Sequence, residues 1–166
     1  MLDLIRTRRS VRSFVGTEVG DEMVEKVLEA GRWAPSGMNN QPWRFAVIRD
    51  RDLKDRVGRL TRYRRIVHAA DTLIAVFLDT TAGYHRTKDI QAMGACIQNM
   101  LLAIHGLGLG GVWLGEILKS GGELRALLDA PDHYELMAVI ALGYPAEKSV
   151  QQPERKDLAS LVFFRK

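Results

Sequence analysis

The run Lys88–Glu116, KDIQAMGACIQNMLLAIHGLGLGGVWLGE, decides how this chain is built. Ile90, Met93, Ile97, Met100, Leu101 and Ile104 recur at helical spacing, which predicts a helix over Lys88–His105. Ala95, Cys96, Leu102 and Ala103 widen the apolar stripe until little polar surface remains beyond Gln91, Gln98 and Asn99. A helix apolar on most sides is a core helix or faces a partner. In a chain of 166 residues we expect both roles at once, hence a dimer. The glycines that follow satisfy G-x-G-x-x-G at Gly106, Gly108 and Gly111. A dinucleotide fingerprint needs a strand before it and a helix after it. Here the helix comes first and the strand GVWL second, so the glycines read as a helix unwinding at its C-terminus.

Outward from this run, strands and helices alternate. DTLIAVFLD, Asp71–Asp79, is apolar without alternation, as in a strand buried on both faces. YELMAVIALGYP is a second central strand, ended by Gly143 and Pro145. RFAVIRD is a third, with Asp50 at its end placed to cap the helix RDLKDRVGRL. GGVWLGEI supplies a short fourth. Further helices are predicted at Leu2–Thr7, over DEMVEKVLEAGRWA (Asp21 to Ala34, stopped by Pro35), at Tyr63–Ala70 and at Ser120–Ala130. The tail starts helical at Asp157 and finishes with Phe163 and Phe164. The alternation predicts an α+β or α/β sandwich, and no linker or repeat divides the chain, so residues 1–166 read as one domain.

Composition narrows the function. Apolar content of 46% and charged content of 27% suit a soluble globule, and no apolar run is long enough to cross a membrane. The first residues, MLDLIRTRRSVRSF, lack an apolar secretory core, and Cys96 is the single cysteine. Both lead us to expect a reducing, cytoplasmic setting. Net charge is +4, from 24 Lys and Arg against 20 Asp and Glu. With a pI near 9.4, a basic nucleic-acid-binding dimer is a rival reading, but no nucleic-acid fold pattern appears. His68, His85, His105 and His133 are scattered, with no metal-ligand spacing and no nucleophile elbow nearby.

Two stretches carry chemistry. RRSVRSF places Arg8, Arg9, Ser10 and Arg12 within five residues, a set that suits a phosphate monoester or forms a solvated basic turn. WAPSGMNNQPWRF, Trp33–Phe45, cannot be a helix interior, because Pro35, Gly37 and Pro42 interrupt it. Its Asn39, Asn40 and Gln41 offer amides that can read a ring's carbonyl and N–H edges, and Pro35, Ser36 and Gly37 give a flat backbone. Trp33 and Trp43 either wall such a site or anchor the loop.

Taken in order, RRSVRSF, APSGMNNQPWRF, NMLLAIHGLGLGGVWLGE and ALGYP with its basic tail resemble the FMN-dependent nitroreductase family, from about Thr7 to Val162. The resemblance implies an α+β fold: a central, mainly antiparallel sheet flanked by helices, in an intertwined homodimer with FMN at the subunit interface. It implies that Arg8, Arg9, Ser10 and Arg12 hold the FMN phosphate and part of the pyrimidine edge, joined by Arg155 of PERKDL. Pro35, Ser36, Gly37, Met38 and Asn39 would come from the other subunit and lie along the isoalloxazine. Leu114, Gly115 and Glu116 match the turn whose backbone N–H faces flavin N5. Where the family often has a polar residue and a lysine near the pyrimidine carbonyls, this chain has TRYRRIVH, with Arg64 and Arg65 as the cations. The short segment between AVFLD and the long helix implies a more open flavin than in longer members. The expected activity is ping-pong hydride transfer from NADH or NADPH through FMN to a nitroaromatic, quinone or related small-molecule acceptor. Dehalogenation, ring-substrate oxidation and flavin breakdown are the alternatives on the same fold. No catalytic side chain, metal, nucleic acid or membrane is expected.

Overall fold

The computed structural model describes residues 1–146 and 154–166; Pro153 of PERKDL lies outside the described residues. Helix α1 (Leu2–Thr7) opens the chain and α2 (Asp21–Arg32) follows a polar turn. After the amide-rich loop come β1 (Trp43–Ile48), α3 (Arg51–Arg59), α4 (Arg64–Ala69) and β2 (Thr72–Asp79). The long helix α5 spans Arg86–Gly106 and leads into β3 (Gly110–Leu114). A 3-10 turn (Glu116–Ser120), α6 (Gly121–Leu127), β4 (Tyr134–Gly143) and the short α7 (Leu158–Leu161) complete the described chain.

The four strands form one sheet in the order β1-β2-β4-β3, antiparallel throughout. That settles the choice left open by the alternating pattern in favour of α+β. Strands β2 and β4 occupy the centre, and every residue of β2 is buried, as its unbroken apolar run predicts. Its side chains alternate between two cores. Ile74, Val76 and Leu78 join Ala138, Ile140 and Leu142 under α2 and α5. Leu73, Ala75 and Phe77 join Val139 and Ala141 under α3, α4 and α6, against Val57, Val67 and Leu124. Each of the larger side chains contributes about 1.5–3 kcal/mol by leaving water.

Gly31 lets α2 lie close on α5, because a Cβ there would come within 2.8 Å of Met100. The α2 helix ends at Arg32, two residues before the predicted stop, because Pro35 already constrains the residues ahead of it. The helix predicted over Ser120–Ala130 is α6, which starts at Gly121 after the 3-10 turn and ends at Leu127; Asp129, at φ 54°, has left the helical region. The Asp50 side chain caps α3 by accepting from the Leu53 N–H at 2.7 Å. The glycine run behaves as a helix end. Gly108 sits at φ +76°, and the N–H groups of Leu107, Gly108 and Leu109 close back onto Ala103, His105 and Ile104. A pyrophosphate would therefore meet carbonyl groups there, and the fingerprint reading is excluded. Among the described residues no helix is long and apolar enough to cross a membrane.

Candidate functional site

The N-terminal arginines are held by β3. The Val11 N–H donates to the Gly111 carbonyl at 3.0 Å, and Ser10 bridges Gly111 in parallel fashion. This approach requires glycine at 110, where a Cβ would fall 2.7 Å from Val11 Cγ1. The segment also abuts the end of α5. The Thr7 hydroxyl donates to the Asp3 carbonyl at 2.7 Å and lies 2.8 Å from His105 Nε2. A hydroxyl has one proton, so His105 Nε2–H is the donor in the second contact.

Positive charge is concentrated in this corner. Burial, then Arg9 and Arg155, lower the pKa of the half-buried Arg8. Burial, then Arg8 and Arg9, lower that of His105. The cations of this corner repel one another, and Arg155 belongs to the group although it lies far along the chain. Ser10, Arg12 and Arg155 are exposed. Arg9 donates through Nη1 to the carbonyls of Arg6 and Arg8 at 2.6 and 2.8 Å, which orients its guanidinium.

Four residues along β3 lies the second piece. At about 3.3 Å per residue, Gly115 stands about 13 Å from Gly111. Leu114 is buried and Gly115 exposed. The Glu116 carboxylate is turned toward its own chain: it accepts from Thr61 Oγ1 at 2.6 Å and the Arg62 N–H at 3.2 Å and pairs with Lys119 at 2.5 Å. Hydrogen bonds from Lys119 and Thr61 hold its pKa down at about 2. Glu116 thus latches the 61–63 turn, which leads into the arginines that open α4, onto the Gly115 turn. Arg64 Nε donates to His68 Nε2 at 2.9 Å, and His68 Nδ1 meets Asp55 at 2.7 Å; Arg65 is exposed with no ion pair among the described residues.

The amide-rich loop is the third piece. Gly37–Asn39 form a distorted 3-10 turn, and Met38, Asn39 and Gln41 take φ of 55°, 55° and 47°. Left-handed backbone costs a non-glycine residue about 1–2 kcal/mol each, and such strain collects at ligand-binding positions. The Ser36 hydroxyl accepts from the Gln41 N–H at 3.0 Å, and Gln41 Nε2 donates to the Asn39 carbonyl at 3.1 Å. Pro35, Met38 and Asn39 are exposed, with Ser36 and Gly37 half-buried.

The loop's amides divide differently from the sequence reading. Asn40 is turned inward, donating to Asp89 Oδ1 and the Ala82 carbonyl, and Gln41 folds onto its own loop. Asn39 alone of the three presents a side chain without a hydrogen bond among the described residues. Trp43, 5% exposed, anchors the loop in the core. Trp33 is 73% exposed and donates to Glu29 at 2.6 Å, so it stands at the surface beside the loop. Sequence reasoning missed the inward Asn40–Asp89 contact and the Thr61–Glu116 latch; both join residues about fifty positions apart, and nothing in either local pattern marks them.

The three pieces do not converge within one chain. The arginine corner packs on the C-terminal end of α5, whereas the loop packs on its N-terminal end through Asp89. Asp89 and His105 are about 24 Å apart along the axis, at 1.5 Å per residue. That span keeps the arginine corner and the amide-rich loop of one chain apart.

Known proteins bear on this arrangement. The chain matches the Nitroreductase family over residues 5–63 and 58–144. It is 36% identical over 160 residues to a protein of Methanothermobacter thermautotrophicus provisionally named NADH dehydrogenase/NAD(P)H nitroreductase, covering 95% of this chain and 82% of that one. The crystal structure of a provisionally named nitroreductase from Desulfovibrio desulfuricans in complex with FMN superposes with a TM-score of 0.94. It has 47% identity and covers 99% of this chain and 96% of the other. The iodotyrosine deiodinase of Thermotoga neapolitana is 27% identical over 181 residues, covering 94% of each. This chain belongs to the nitroreductase family.

Proposed function

We propose that the chain is an FMN-dependent NAD(P)H oxidoreductase working as a homodimer with two flavin sites at the subunit interface. The observation that carries this reading is the placement of two complementary half-sites at opposite ends of α5, each lacking what the other supplies. Half-buried Ala95 and Leu102 share one side of α5 and give it apolar surface that a second copy would cover.

FMN, when bound, would supply two-electron hydride chemistry between NADH or NADPH and a nitroaromatic, quinone or related acceptor. Arg8, Arg9, Ser10, Arg12 and Arg155 hold the phosphate. The exposed Gly115, between Leu114 and Glu116, would offer its backbone N–H to the ring's N5. Arg64 and Arg65 open α4 directly after the turn latched by Glu116, where positive charge would favour the reduced, anionic ring. Pro35–Asn39 of the second subunit cover the ring and exclude water from it. No protein nucleophile takes part. The arginines serve a small anionic cofactor, not nucleic acid, and the one cysteine, buried at Cys96, agrees with a cytoplasmic setting.

The purified protein should be yellow, bleach under argon with NADH or NADPH and regain colour when a nitroaromatic is added. A colourless monomer that refuses FMN would refute the reading. The likeness to a deiodinase supports a second reading, in which the same reduced flavin removes halide from an aromatic ring. Anaerobic turnover of an iodophenol with iodide release, faster than nitro reduction, would select it.

A further inference from the structure

Asp89 is 3% exposed although it stands in the first turn of α5, and the mechanism above leaves it unused. Its two oxygens have separate tasks. Oδ2 accepts from the Tyr84 and His85 N–H groups at 3.1 and 2.9 Å, which closes the start of α5. Oδ1 accepts from Asn40 Nδ2 at 2.9 Å, and the same amide donates to the Ala82 carbonyl at 3.0 Å. Burial raises the carboxyl's pKa, and the bonds from Asn40, His85 and Tyr84 more than reverse this, so the group is an anion. Asn40 Oδ1 is buried with no partner among the described residues. Such an orphan is tolerated where the amide's other end has a fixed purpose. A second contact joins the same two segments: a Cβ on Gly37 would fall 2.1 Å from Tyr84 Oη. A cleft of roughly 270 Å³ lies against this junction, lined in part by Thr80, Gly83, His85 and Arg86.

We propose that Asp89 is a positioning residue which, through Asn40, fastens the strained 36–41 loop to the 82–85 segment, so that the flavin-covering loop and the adjoining cleft move as one unit. The flavin part of this rests on the function proposed above. The left-handed residues of the loop lie beside Asn40 and have no other side-chain tie to α5 among the described residues. Releasing Asn40 therefore lets them relax, whereas the Oδ2 contacts continue to hold the helix start.

The test compares wild type, Asn40→Ala, Asp89→Asn and the double variant. Hydrogen exchange on the FMN-free protein and FMN titration are the two readouts. Asn40→Ala should speed exchange at 38–41 at least tenfold, leave the start of α5 unchanged and weaken FMN about tenfold. Its melting temperature should fall as well, because the buried Asp89 Oδ1 and the Ala82 carbonyl lose their donor. Asp89→Asn should loosen both segments, and the double variant should bind FMN no worse than Asp89→Asn alone. If Asp89→Asn does not fold, Asn40→Ala decides the question. Wild-type-like exchange and FMN affinity in Asn40→Ala, or additive losses in the double variant, would overturn the proposal. A wild type that takes no FMN would defeat the proposed function instead, and the exchange measurement would still judge the clamp.

Discussion

Replacing Arg8 and Arg12 with alanine should sharply reduce the protein's preference for FMN over riboflavin. Arg8 is half-buried against Arg9 and Arg155, and Arg12 is exposed with only a 3.4 Å contact to the Ser10 carbonyl. A charge-assisted hydrogen bond shielded from water is worth about 1.5–3 kcal/mol. At about 1.4 kcal/mol per decade, loss of Arg8 weakens FMN by about 10- to 150-fold. The exposed Arg12 contributes at the low end, about tenfold or less. Titrating flavin-free protein by flavin fluorescence reads both ligands in one assay. Riboflavin has the same ring and no phosphate, so its affinity should stay within about twofold. Arg8→Lys, with charge but no planar fork, should fall between wild type and alanine. Parallel weakening of FMN and riboflavin, or unchanged FMN retention on a desalting column, would refute the phosphate assignment.

The lowered pKa of His105 gives a signed pH effect. Below its ordinary value of about 6.5 the unfolded chain takes up the proton first, so this stabilising contribution is present above that pH and lost as pH falls through the folded pKa. FMN, by neutralising Arg8 and Arg9, should move the His105 titration upward in an NMR pH series. Gly110→Ala should strain the Val11 approach by about 1–3 kcal/mol and weaken FMN, and Val11→Ala should restore part of the loss, as thermal melts and titration would show. Asn39→Ala should change the flavin's reduction potential more than its retention; the reverse ranking, by spectroelectrochemistry and desalting, would remove Asn39 from the ring edge.

The fold could be read from the chain because its decisive elements are patterned locally. The unbroken apolar run of β2 and the helix-glycine-strand order after α5 each have one physical solution. The choice between parallel and antiparallel strands did not, because β2 and β4 are equally apolar in either arrangement. The site was readable as residue types: adjacent arginines before β3, and a proline- and glycine-broken loop before β1. What the residues do with their polar atoms was not. Asn40 and Asn39 are neighbours of identical chemistry, yet a tertiary contact to Asp89 turns one inward and leaves the other exposed. Glu116 likewise looks like a ligand-facing acid and is held by Thr61, Arg62 and Lys119.

Subunit mixing tests the shared site most directly. A chain carrying Arg8→Ala and Arg12→Ala keeps its loop; a chain carrying Gly37→Leu, whose side chain would displace Tyr84, keeps its arginines. Neither homodimer should hold FMN tightly. Co-expressed and purified through two tags, the mixed dimer should hold one tightly bound FMN per two chains, because one interface unites the intact corner with the intact loop. A mixed dimer as empty as its parents would contradict a site built from two chains.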